Sequence, residues 1–271
     1  MPMPLSLKTL RLKWQLLFGI LPWALLFVGS KVGLHQLHWD VWTFDSMTGT
    51  LFAAASFILA FMLSGTLRDY QASLYMPTEL ANAVEAIADT NQLIAQAHPH
   101  YDPAPLNQAL AQLTRHLLAW LETQAAIAPV EATLDQLNHH FADLLRLGDA
   151  PLIGRVQSEQ AKLRLLIRRI HIIRDTDFLQ PAYVLLELFL VSAVVTLLLV
   201  HTARFEQGLI VSTLLFIAFA YLLRLIRDLD NPFQYGDHSV LDADLSALRE
   251  VVAQLPQLKA EKAQPQSDPH R

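Results

Sequence analysis

The chain has 271 residues, 53% hydrophobic and only 17% charged, with a formal net charge of −5 and a mean hydropathy of +0.30. That balance is too apolar for an ordinary soluble domain, and its acidic sign excludes a globally basic surface, so no nucleic-acid partner is expected. The absence of cysteine excludes a disulfide framework, a thiolate nucleophile and a cysteine-ligated zinc centre.

Four apolar runs meet the criterion of roughly twenty residues for a membrane-crossing helix. The first extends from about Trp14 to Leu34 behind a basic start at Lys8, Arg11 and Lys13, and it contains Gly19 and Pro22, which helices in lipid tolerate. Bulky Trp23 and Phe27, and the three runs that follow, favour an uncleaved helix over a removed signal peptide. The second run, about Met47 to Leu67, carries no charge. Along it Gly49, Ala53, Ser56, Ala60 and Ser64 recur at spacings of three and four. This stripe has two readings. Ser56, Ala60 and Ser64 could pack against another helix of the same chain. Alternatively Gly49, Ala53, Phe57 and Phe61 line a symmetric pore, where the phenyl rings narrow an apolar passage.

The central region, about residues 68–178, reads as helical. Leu106, Leu110, Leu113, Leu117, Trp120 and Leu121 form one stripe at helical spacing, and Val130, Leu134, Leu137, Phe141, Leu144 and Leu145 a second. Leu163, Leu166, Ile167, Ile170 and Ile173 form a third. Breaks are expected at residues 98–103, at Pro129 and at residues 148–151. Sustained two-residue alternation is absent, so no sheet is expected. Arg164, Arg168, Arg169, His171 and Arg174 lead toward the third span, where they could contact anionic lipid or attract anions.

The third run begins after Pro181 and reaches about Thr202; the fourth extends from about Gly208 to Leu223, with Arg204-Phe205-Glu206-Gln207 as the turn between them. Glu187 within the third run is either a functional carboxylate or one that reaches the interface or pairs with Arg174 or Arg224. The helical pattern is broken only at Pro77 between Met47 and Ala97, and only at Pro181 between Leu152 and Thr202. Two long helices are therefore expected to join the central region to the spans. The expected organisation is 1–67 (first two spans), 68–178 (cytoplasmic helices), 179–226 (last two spans), 227–255 (C-terminal segment) and 256–271 (disordered tail).

Of the 20 Lys and Arg residues, only Lys31 and Arg204 fall in or beside the connections within each pair of spans. The positive-inside rule then places both termini and the central region in the cytoplasm, with Trp39, Trp42 and Phe44 in an outer aromatic belt. The expected fold class is an all-α membrane protein, four transmembrane helices in a 2+2 arrangement, residing in a bacterial inner membrane and surrounded by the lipid bilayer.

Little points to chemistry. His35, His38 and Asp40, the pair His98/His100 and the pair His139/His140 lack a third and fourth partner at a recognised ligand spacing, so no metal site is expected. Walker-type loops, nucleophile elbows, HExxH and Gly-rich dinucleotide turns are all missing. Neither an enzyme nor a cofactor is expected.

After the fourth run stands Arg227-Asp228-Leu229-Asp230-Asn231-Pro232-Phe233-Gln234-Tyr235-Gly236-Asp237. Asn-Pro stops a helix, and Phe233 can fold back as an apolar plug. The segment resembles the Asn-Pro-Phe stretch after the last membrane helix of bestrophins. The second run is similar as well, with Ser56 to Phe61 leading through Leu67 to Tyr70, then Tyr75, Pro77 and Leu80. The order of two spans, a helical block, two spans and an acidic tail matches across most of the chain. The resemblance implies a homo-oligomeric, pentameric channel for monovalent ions, with Gly49, Ala53 and Phe57 near the neck. Gln71-Ala72-Ser73-Leu74-Tyr75 stands where the family carries a basic, Trp-rich segment, and the acidic run is thinned to Asp237, Asp242 and Asp244, so calcium gating is not implied. The competing reading is a non-conducting scaffold or sensor whose helical bundle binds a partner.

Overall fold

The computed structural model describes residues 7–123, 125–147, 150–175, 180–235 and 241–255. Its elements are α1 (Leu7–Gln36), β1 (Trp42–Thr43), α2 (Ser46–Leu74), α3 (Met76–Ala97), α4 (Ala104–Thr123), α5 (Ala128–Leu145), α6 (Ala150–Asp175), α7 (Gln180–Leu199), β2 (Val200–His201), α8 (Phe205–Asp230) and α9 (Ser246–Gln254). They divide into two compact units, residues 1–70 with 177–231 and residues 71–176 with 232–271.

The first unit holds the apolar helices. Leu16–Gln36, the helical stretch beginning at Ser46, and Phe205–Asp230 are long and apolar enough to cross a membrane; Tyr183–Leu199 is a shorter apolar helix. Helices suit this setting because every backbone polar group is satisfied within the segment. Asp45 starts α2: its Oδ1 accepts from the Thr48 backbone N–H at 2.8 Å and the Thr48 hydroxyl at 2.7 Å. Those two bonds hold the Asp45 carboxyl below its ordinary range. Inside the unit, Ala55, Leu59 and Met62 of α2 meet Leu186 and Ala193 of α7 and Phe219 and Ile226 of α8. Phe27 of α1 stacks on Phe216 of α8 with centroids 4.6 Å apart. Much of the remaining surface is apolar and uncovered, including Phe18, Trp23, Leu25, Leu188 and Leu214. A patch of that kind is suited to lipid or to another protein surface rather than to water.

The second unit is a helical bundle in which α3 packs on α6, α4 on α5, and α9 on α3 and α4. The stripes read from the sequence become its core. All six stripe residues of α4 are buried, as are Val130, Leu134, Leu137, Phe141 and Leu144 of α5 and Leu163, Leu166, Ile167 and Ile170 of α6. Leu145 departs from that expectation at 54% exposed, because it closes the final turn of α5 beyond its packed face. The break at residues 98–103 is held by buried Asn91, whose Nδ2 donates to the Pro103 carbonyl and to Asn107 Oδ1, both at 2.8 Å. The Tyr101 hydroxyl donates to Asn91 Oδ1 at 2.7 Å, which completes the amide's partners. Burial pushes the Tyr101 hydroxyl up to about 12. Pro129 lies in the first turn of α5, where its missing N–H costs nothing.

Three expectations are corrected. A two-residue parallel bridge pairs Trp42 with Val200 and Thr43 with His201, too short to leave a two-residue pattern in the sequence. The fourth run is longer than read: α8 begins at Phe205, so the supposed turn residues Phe205, Glu206 and Gln207 are already helical. Helix α8 also continues past Leu223 to Asp230, carrying Arg224 and Arg227. Between α2 and α3 the break falls at Tyr75, with Pro77 in the first turn of α3. The expected continuity through residues 176–179, the acidic Asp237 and the tail after Pro256 lie outside the described residues.

Candidate functional site

Helix α2 has two contrasting faces, which follow from 100° of rotation per residue. Thr48, Ala55, Leu59, Met62 and Thr66 are buried on one. On the opposite face Ala53, Ser56, Phe57, Ala60, Phe61 and Ser64 are all exposed, with Phe57 at 71% and Phe61 at 70%. Gly49 sits on this second face, half-buried, and a Cβ added there would meet nothing within 4 Å. Packing within the chain therefore does not explain the small residues. Ser56, Ala60 and Ser64, expected to pack against another helix of the chain, share this exposed face.

The post-span motif has a different role. Helix α8 ends at Asp230, and Asn231 leaves it with φ −133° and ψ 90°, extended backbone that a following proline favours. Pro232 and Phe233 belong to the second unit, where Phe233 is fully buried among the bundle's core side chains. The Pro232 carbonyl accepts from the Ala243 N–H at 2.9 Å, and the Tyr235 hydroxyl donates to the Ala243 carbonyl at 2.9 Å. Burial pushes the Tyr235 hydroxyl well above its usual range. Phe233 is thus a plug, but of the bundle's core.

Glu187 pairs with Arg227 of α8. The expected partners are engaged elsewhere: Arg174 donates to the Trp120 carbonyl at 2.5 Å with its guanidinium 5.5 Å from the Trp120 ring centroid, and Arg224 lies against Gly19. Arg164 of the basic stripe pairs with Asp135 at 2.6 Å.

At the other end of the first unit, the two connections between apolar helices meet. Asp40 Oδ2 accepts from His35 Nδ1 at 2.7 Å and from His201 Nδ1 at 3.0 Å. Those two bonds, His35's the stronger, draw the Asp40 carboxyl down to about 2. Buried Lys31 donates from Nζ to the carbonyls of Leu197 at 2.5 Å and Val200 at 3.2 Å. His35 stacks on Phe205 with centroids 3.9 Å apart and planes 12° from parallel.

No protein-family sequence model matches the chain, and no curated protein matches it by sequence. Solved structures do match. A point variant of a bacterial bestrophin homologue from Klebsiella pneumoniae aligns with a TM-score of 0.71 at 14% identity, covering 92% of this chain and 99% of that one. A second crystal structure of a bestrophin homologue from that organism aligns with a TM-score of 0.71 at 14% identity over 91% and 98%. A variant of a protein described only as a membrane protein gives 0.71 at 14% identity over 92% and 98%. The chain has the bestrophin fold.

Within the bestrophin fold, the sequence's two strongest signals land in separate places, the stripe on an open face of α2 and Phe233, after the Asn231-Pro232 stop, in the bundle core. His201 was missed, since it lies 161 residues beyond Asp40 and only the fold brings it to that carboxylate. Its sequence signal was slight, a lone histidine at the end of an apolar run. His38, grouped with His35 and Asp40 by sequence, is outside the convergent set and adopts φ 57°.

Proposed function

We propose that the chain is a bestrophin-type ion channel, a homo-oligomer and on that resemblance a pentamer, rather than an enzyme. Four spans in two pairs cross the bacterial inner membrane, with α7 as the third, and the Lys and Arg distribution keeps both termini and the bundle in the cytoplasm. Helix α2 of each copy lines the neck. Gly49, Ala53, Phe57 and Phe61 face the passage for monovalent ions, while Ser56, Ala60 and Ser64 allow close approach of neighbouring copies.

The observation that carries this reading is the open face of α2. Small residues on a face that their own chain leaves exposed, interleaved with exposed phenyl rings, are not core, and lipid gives the small side chains no particular use. Assembly around an axis gives both features a use: small side chains leave a passage, and phenyl rings narrow it to a constriction that dewets.

The absence of cysteine offers a direct test. Single substitutions Ala53→Cys and Phe57→Cys, made in the full chain and recorded in planar bilayers, should give currents blocked by a charged, water-borne thiol reagent. Leu59→Cys, on the buried face, should be insensitive. Block at Leu59→Cys without block at Ala53→Cys or Phe57→Cys would overturn the assignment of the lining face.

A further inference from the structure

We propose that His35, Asp40 and His201 form a binding site for a divalent transition-metal cation of the zinc class, clipping together the two connections between apolar helices. The site is independent of the channel reading and stands on the geometry of the first unit alone.

The side chains come from three points on two separate connections, the last turn of α1, the loop before β1, and β2. Each offers one ligand atom, and these atoms lie within 4.8 Å of one another. Two imidazole nitrogens 2.7 and 3.0 Å from one carboxylate oxygen are already near the mutual spacing of ligands on a small cation. Zinc bound at about 2.0–2.2 Å by nitrogen and oxygen donors requires ligand atoms only slightly farther apart. Each neutral imidazole can free its Nδ1 lone pair by carrying its proton on Nε2 instead, so binding requires no net loss of a proton from the histidines.

The ligands are also held in place before any ion arrives. The His35 ring is stacked on Phe205. His201 is fixed by its backbone pairing with Thr43, and the adjacent Val200 and Leu197 carbonyls are tied to Lys31. Pre-orientation of this kind removes much of the ordering cost of binding. Three protein ligands leave a fourth tetrahedral position, and His201, 51% exposed, leaves that side open to water.

The donor set selects the cation. Two imidazoles with one carboxylate suit zinc and its first-row neighbours, whereas magnesium and calcium prefer all-oxygen shells. The nearby Lys31 ammonium, attracted to Asp40, opposes a second positive charge. It places the affinity below that of a closed, four-ligand structural site.

The test uses the untagged full chain in detergent, stripped with chelator and titrated with zinc chloride by calorimetry, with melting followed in parallel. The expected result is one saturable zinc per chain with a raised melting temperature, and no effect of magnesium or calcium at the same concentration. His201→Ala, at a half-exposed position, should fold as the parent does and weaken zinc binding by at least about tenfold, the effect of losing even a supporting group at a metal. His38→Ala should bind as the parent does, as should a His98→Ala/His100→Ala variant. Absence of a saturable zinc signal in the parent overturns the proposal, as does parental affinity in His201→Ala.

Discussion

Phe233 and Lys31 show how far single side chains determine this molecule. Phe233 lies in the bundle core, fully buried with residues from several of its helices. Truncating it removes a ring's worth of burial and leaves a cavity the helices cannot all close. Phe233→Ala should therefore cost the bundle about 3–5 kcal/mol, read as a lower denaturation midpoint of the purified protein. A change within about 0.5 kcal/mol, the range of ordinary surface substitutions, would contradict that placement. Lys31 resolves a different problem. Its ammonium is buried, yet two main-chain carbonyls at the end of α7 accept from it. The charge and the orphan carbonyls at a helix end satisfy one another.

At the scale of elements, the sequence was most legible where burial repeats with the helical period. The α4, α5 and α6 stripes were readable because each faces one core, so every third or fourth residue carries the signal. Helix ends were less legible. Nothing local distinguishes Phe205 as the first residue of α8, since Thr202 and the paired β2 strand stop the preceding segment. The Glu187 partner was missed because three arginines lie within reach by sequence, and only helix register selects Arg227. The His35–Asp40–His201 set was illegible for the same reason, being assembled by non-local packing. Two glycines separate tight packing from open space. A Cβ at Gly208 would clash with Thr202 Oγ1 and fall 2.8 Å from the Thr202 Cβ, so the short Thr202 side chain would have to move. Gly208→Ala should destabilise the purified protein by about 1–3 kcal/mol, as overpacking does. Gly49→Ala, with nothing within 4 Å, should fold at least as well as the parent. Equal melting temperatures for Gly208→Ala and the parent would contradict the contact.

For the whole molecule, the fold and the surface lead to one account. The alignment to bacterial bestrophin homologues spans nearly the full chain at 14% identity, so architecture persists where few side chains do. What persists is the fold itself, at a TM-score of 0.71. The second helix then presents to its surroundings a face that its own chain does not use. Under the proposed account that face becomes the neck of an oligomer, and its apolar character controls conduction through wetting rather than through fixed charge. The most direct measurement is the current through planar bilayers containing the purified full chain under a salt gradient. The account predicts discrete openings whose amplitude changes in Phe57→Ala, where the constriction loses a ring. Bilayers that stay silent at every gradient and voltage, with the protein shown to be inserted, would contradict it.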